Sequence, residues 1–329
     1  MNSKFGFTQY TIQEFEAWIT NLKIARTVLT IQHHHTFIPN YSHFKGNNHF
    51  EMQKSMESHH INHNGWDFIG QHFSVFPDGT ILTGRSLEKS PACIYGQNAN
   101  AICIESVGNF DVNKDVMTAA QKDSIVRITA KLCSRMNVKV NTNTIVYHHW
   151  FNLATGERND GSKNNKSCPG TGFFGGNKVS DCTAHFLPLV NNALNGITGA
   201  PVPGVIQNYV TVNTDRLNIR KKPDAKSEKV DGREPALMGA ILRVYKEDKG
   251  WLKISASAEN WVLGKYTSPV IRSTVNANTL NVRSGPDISY SKIGSYQKGQ
   301  ELFIAREENG WCKINLDEKW VKKEFLDFK

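Results

Sequence analysis

Two hydrophobic periods alternate along the first 195 residues. Thr11-Ile12-Gln13-Glu14 is a capping-box pattern, and Phe15, Trp18, Ile19 and Leu22 follow it at helical spacing, which predicts a short amphipathic helix. The next apolar stretch, TVLTIQ from Thr27 to Gln32, is rich in β-branched residues and predicts a strand that runs into His33, His34 and His35. Residues 47–63 read as helical. Gln71 to Phe76 reads as a strand turning at Pro77-Asp78-Gly79 into Thr80-Ile81-Leu82, a hairpin signal, and Ala101 to Val107 as another short strand. A second capping pattern, Thr118 to Gln121, precedes Ile125, Val126, Ile128, Leu132 and Met136 at helical spacing. A strand from Thr144 to His148 and a helix around Thr183 to Leu194 complete an α/β unit, a mixed central sheet with packed helices.

The pattern changes after residue 195. NGITGAPVPGVIQ has glycine and proline at short intervals and no period, so 196–208 is expected to be a linker. Two similar segments follow. TVNTDRLNIRKKPD from Thr211 aligns with TVNANTLNVRSGPD from Thr274, and DKGWLKI from Asp248 aligns with ENGWCKI from Glu308. Glu259-Asn260-Trp261-Val262 aligns with Glu318-Lys319-Trp320-Val321. Three matches in one order mark an internal repeat, and short strands separated by turns predict two small all-β barrels, 209–268 and 269–329. Trp251, Trp261, Trp311 and Trp320 are expected in the barrel cores.

Composition narrows the choice. A hydrophobic fraction of 39% and a charged fraction of 21% are ordinary for globular domains and argue against disorder. No apolar run is long enough to span a bilayer, and the start of the chain shows no signal-peptide core, so synthesis in the cytoplasm is expected. The formal charge of +9 favours an anionic partner. Its basic residues are scattered, with no Lys/Arg block interleaved with aromatics; nucleic acid is one candidate and a teichoic-acid-bearing cell wall another. The six cysteines show no paired spacing and are expected to be mostly reduced, five of them as small buried hydrophobes.

A catalytic zinc needs three protein donors, with His and Cys among the usual ones, and an open fourth position. Three segments could supply them: Ile31-Gln32-His33-His34-His35-Thr36, Tyr147-His148-His149-Trp150 and Lys166-Ser167-Cys168-Pro169-Gly170. Adjacent histidines on a strand point to opposite faces, so only one of each pair can face a metal.

In this order the segments resemble the N-acetylmuramoyl-L-alanine amidases, the family that includes phage amidase-type lysozymes and peptidoglycan recognition proteins. The resemblance extends over about Val28 to Gly176. It also rests on Trp66-Asp67-Phe68-Ile69-Gly70, Pro77-Asp78-Gly79-Thr80-Ile81, Thr83-Gly84-Arg85, and the segment from Ile102 to Phe110 with Ile104-Glu105-Ser106-Val107-Gly108. The two C-terminal segments resemble tandem bacterial SH3 domains, through Leu217-Asn218-Ile219-Arg220 with Pro223, Leu280-Asn281-Val282-Arg283 with Pro286, and two Gly-Trp pairs.

The resemblance implies zinc held by His34, His148 and Cys168, with His149 as the fallback for His148. Hydrolysis of the amide between N-acetylmuramic acid and L-alanine of the stem peptide would follow, with Glu105 as general acid and base and Lys166 stabilising the tetrahedral intermediate. Gln71, Arg85 and Asn98 are candidate substrate contacts. Gly70-Gln71-His72-Phe73 departs from the family, where a tyrosine often stands in place of Gln71; a glutamine can hydrogen-bond but cannot act as a phenolic acid. The loop from Phe151 to Asn165 is expected to edge the substrate groove. In this scheme residues 1–195 form the catalytic domain, and peptidoglycan and a wall polymer are the partners, with neither nucleic acid nor membrane insertion. Action at the bacterial wall after release from the cell, as by an endolysin, is expected. The alternatives are a non-catalytic peptidoglycan receptor and an autolysin exported by another route.

Overall fold

The computed structural model describes residues 1–197 and 204–329, so the middle of the expected linker, 198–203, lies outside the described residues. The chain divides into two compact units, Met1–Leu22 with Val28–Ala200, and Lys23–Thr27 with Pro201–Lys329.

The first unit is built on seven strands: β1 (Asn2–Lys4), β2 (Phe7–Tyr10), β3 (Thr30–His35), β4 (Phe73–Val75), β5 (Ile81–Thr83), β6 (Ala101–Ser106) and β7 (Ile145–Tyr147). They form one sheet in the order β1-β2-β5-β4-β6-β3-β7. Pairing is parallel between β4 and β6, β6 and β3, and β3 and β7, and antiparallel elsewhere, so the sheet is mixed as expected. The helices are α1 (Ile12–Asn21), α2 (His49–Asn62), α3 (Ala119–Met136), α4 (Val179–Asp181) and α5 (Leu187–Asn195), with a π-helical turn, Cys182–Phe186, joining the last two. Thr11 and Glu14 complete the predicted capping box of α1. Thr118 caps α3 through the Gln121 amide, but the Gln121 side chain turns inward and donates to the Val75 and Val107 carbonyls. Asn137, left-handed at φ 55°, ends α3. Both α1 and α5 pack against α3, and Arg127 of α3 bonds Glu16 of α1 at 2.6 Å.

One boundary matters for the site. The strand expected to stop at Gln32 runs on through His35, because its parallel partner β6 pairs residue by residue from Thr30↔Ala101 to His35↔Ser106. The three histidines are therefore strand residues with alternating faces, as the sequence reading of adjacent strand histidines requires.

The second unit is all-β apart from short 3-10 turns and contains two apolar clusters. One gathers Val210, Leu217, Leu242, Val262 and neighbours, including Ala25 from Lys23–Thr27. The other gathers Val275, Leu280, Leu302, Val321 and neighbours. Strand Thr267–Val275 spans the expected boundary at 268/269: its first half pairs with Asn208–Val212 and its second half with Glu301–Glu308 and Leu326–Phe328. The repeat recurs in side-chain detail. The Trp261 indole donates to Glu259, which pairs with Lys253, and the Trp320 indole donates to Glu318, which pairs with Lys313. All four expected core tryptophans are buried.

Candidate functional site

Alternation along β3 separates the histidines. His33 turns into the core, where its ring meets Phe186 and its Nε2 lies 3.2 Å from Thr129 Oγ1 of α3. His35 packs on Phe110 and accepts that residue's amide at Nδ1. His34 points the other way, and the register sets it beside Glu105 of β6. Its Nδ1 is 3.2 Å from His148 Nδ1 and 3.5 Å from Cys168 Sγ. Donor atoms of the three residues all lie within 4.8 Å of one another, and all three side chains are buried.

His148 opens a 3-10 turn, His148–Trp150, directly after β7, so the central sheet places it beside His34. Cys168 follows the loop after that turn. Its sulfur accepts the His35 backbone N–H at 3.4 Å, and its carbonyl accepts the His149 N–H at 2.7 Å. The adjacent Gly170 has φ +118°, and a Cβ there would collide with the Phe110 carbonyl, which explains glycine at this position. His149, the fallback ligand, has its Nδ1 2.6 Å from the Lys166 carbonyl oxygen and so fastens the cysteine-bearing loop.

Burial controls the charges. It pushes the His148 imidazole down to about 3, with help from Lys166 and His35, and holds His34 well below its usual range, with His148 adding to the effect. Burial also raises the Cys168 thiol, while the His35 N–H acts in the opposite direction. Two neutral imidazoles with their Nδ1 atoms facing, beside a thiol that receives an N–H, make a soft N₂S donor set that could hold a divalent metal such as zinc.

These groups form part of the wall of a groove of about 870 Å³. Glu105 and Lys166 also line it. Burial raises the Glu105 carboxyl to about 7, with the Lys166 charge pulling it down. α2 also contributes Met56, His59 and His60 to the lining, a histidine-rich stretch that helical periodicity alone did not single out.

The three candidate substrate contacts separate. Gln71 lines the groove, buried, with its Nε2 donating to Ser74 Oγ and its Oε1 without a hydrogen-bond partner. Arg85 is not among the lining residues; its guanidinium donates to the Ile69, Ser90 and Phe68 carbonyls. Asn98 is also outside the lining, its Oδ1 accepting the Cys93 and Ile94 amides. The 151–165 loop contributes no lining residue either. It folds on itself and onto Trp150: Arg158 lies over that ring and donates to the Thr142 carbonyl, and Gln97 donates to the Gly156 carbonyl.

The cysteines depart from the sequence reading. Cys93 and Cys103 form a disulfide, while Cys133, Cys168, Cys182 and Cys312 are free and buried. The pair was not visible as a motif because ten residues separate its members and the intervening segment has to fold back. Asn98 closes that fold by capturing the Cys93 and Ile94 amides.

Residues 25–171 match the family described as N-acetylmuramoyl-L-alanine amidase, and residues 278–327 match the bacterial SH3 domain. The chain thus carries an amidase-type α/β domain and a C-terminal β-rich region with a bacterial SH3 domain. Among curated relatives, YrvJ of Bacillus subtilis (strain 168), a candidate N-acetylmuramoyl-L-alanine amidase, is 27% identical over 135 residues, covering 36% of this chain and 26% of that protein. Peptidoglycan-recognition protein SC2 of Drosophila simulans is 28% identical over 121 residues, covering 37% of this chain and 58% of that protein. The chain therefore spans about a quarter and just over half of these two relatives. Among solved structures, the N-acetylmuramoyl-L-alanine amidase LysC from Clostridium intestinale aligns at a TM-score of 0.34 and 23% identity, covering 46% of this chain and 92% of that one.

Proposed function

We propose that this protein is a zinc-dependent peptidoglycan hydrolase that cleaves the amide between N-acetylmuramic acid and the L-alanine of the stem peptide. The observation that carries the reading is one groove bordered by the donors of His34, His148 and Cys168 together with Glu105 and Lys166. His34, His148 and Cys168 would hold the zinc, which when bound would supply Lewis acidity to a water and to the scissile carbonyl. Glu105, with a carboxyl held near 7, accepts a proton from the attacking water and delivers it to the departing amine. The Lys166 ammonium stabilises negative charge developing on the carbonyl oxygen. Gln71, in the position where many relatives have tyrosine, offers hydrogen bonds but no acidic proton, so Glu105 carries both transfers.

The two C-terminal clusters are read as tandem SH3-like modules that hold the enzyme on its polymer, with domain limits of 1–195, 196–208, 209–268 and 269–329. Two linked modules on a repetitive polymer add avidity that neither has alone. Action at the bacterial wall in the manner of an endolysin follows from this pairing of a hydrolase with wall-binding modules. A receptor that binds peptidoglycan without turnover is the alternative, favoured by the absence of the phenol at Gln71. Mass spectrometry of purified peptidoglycan after digestion separates the two: new free lactyl and L-alanine ends support the amidase, and unaltered muropeptides would leave the receptor.

A further inference from the structure

We propose that Cys93, Cys103 and His34 form a second metal set, one that opens only when the Cys93–Cys103 disulfide is reduced. The inference rests on the reading that His34, His148 and Cys168 hold the working ion. Both sulfurs lie within 4.8 Å of each other and of a ring nitrogen of His34. The placement comes from the sheet. Glu105 faces the groove, so alternation along β6 turns Cys103, two residues earlier, to the same side. Cys93, half-buried, lines the groove, where a small reductant can reach it. His34 uses Nδ1 toward His148 and Cys168, while its Nε2 is buried and has no hydrogen-bond partner. A ligating histidine ordinarily fixes its second nitrogen with a partner, so an unpartnered Nε2 in a sulfur-containing pocket is an unusual feature.

In the disulfide both sulfurs are neutral and poor donors. A dithiol gives two electrons and two protons to the pair: the S–S bond breaks, two thiols form, and the dithiol closes into its own disulfide. A divalent ion then displaces the two thiol protons and gains two thiolates and an imidazole, a soft set of the kind zinc prefers. Both sets need His34. The reduced pair therefore competes with His148 and Cys168 for the ion, and the redox state of one bond decides which set holds it.

Cobalt(II) in place of zinc tests this on the full chain, because its near-ultraviolet absorption reports bound thiolates without relying on turnover. The chain is reduced with a phosphine, which supplies no competing thiol, desalted under nitrogen, and compared with its oxidised form. Moving from one thiolate to two should raise the sulfur-to-cobalt band roughly twofold, and bound metal should protect Cys93 and Cys103 from alkylation. The Cys93→Ser/Cys103→Ser variant should keep the oxidised band and show no rise; Cys93→Ser alone serves if the double variant does not fold. An identical band in both redox states, with two new thiols titrated, would overturn the proposal, as would a rise that persists in the variants. A band absent from the oxidised chain but present after reduction would instead remove the His34–His148–Cys168 reading and leave the new set standing.

Discussion

His34 and His148 present their Nδ1 atoms to each other at 3.2 Å, one from the end of β3 and the other from the turn after β7. Two neighbouring parallel strands thus deliver two donors to one point, and Cys168 closes the set from a loop held by the backbones of His35 and His149.

That arrangement makes the histidines of β3 unequal. With the Cys93–Cys103 disulfide intact, His34→Leu and Cys168→Ser should each abolish stoichiometric zinc, since either leaves two donors. His33→Leu should retain the metal and shift stability by about 1 kcal/mol or less, because it removes a buried imidazole whose Nδ1 has no partner. Metal analysis beside urea denaturation checks all three; zinc loss in His33→Leu with an intact fold would reverse the assignment.

Glu105→Gln is nearly isosteric but cannot carry a proton. Turnover on a muramyl peptide should fall by about a hundred- to ten-thousand-fold with zinc content unchanged. A near-normal rate would return Glu105 to a purely structural role.

Burial holds the Glu105 carboxyl at about 7, and the base form exists above that value. A nearby dication pulls the value down. The rate should therefore fall on the acid side, with a limb at or below pH 7 that vanishes in Glu105→Gln. An unchanged limb in the variant would assign the titration to another group.

Gly170→Ala should destabilise the first unit by about 1–3 kcal/mol, since alanine would have to adopt φ +118° against the Phe110 carbonyl. Weaker zinc binding should accompany the loss, because the displaced segment carries Cys168. Calorimetry and a chelator competition read the two effects; unchanged values in both would mean that the turn adapts freely.

Residues 204–329 contain 22 Lys and Arg against 16 Asp and Glu, an excess that favours an anionic polymer. Retention on insoluble wall should weaken as salt rises, because exposed charges are screened beyond a few ångströms at high ionic strength. Hydrolysis of a small soluble muramyl peptide should change far less. Salt-independent retention would point to apolar recognition.

Much of this was legible in local pattern. Strand alternation required adjacent histidines to face apart, with the family resemblance choosing His34; the Thr11 capping box located α1, and the paired Gly-Trp and Glu-x-Trp matches marked the repeat whose tryptophans are buried. What escaped depends on contacts remote in sequence. β3 extends through the histidines because β6 offers partners that far, which local periodicity cannot see. Arg85 and Asn98 were candidate substrate contacts, yet their polar groups are engaged by the backbone of neighbouring loops. The Cys93–Cys103 pair needed the fold-back that Asn98 secures, and the inclusion of Ala25 in the second unit's core has no local signal at all.

The strand Thr267–Val275 has a mechanical consequence. Hydrogen bonds hold its first half in one sheet segment and its second half in the next, so few backbone torsions remain free to act as a hinge. The two C-terminal clusters are consequently splinted at a set spacing; as the proposed wall-binding modules they would act as a caliper, favouring polymers whose repeat matches that gap over those that do not.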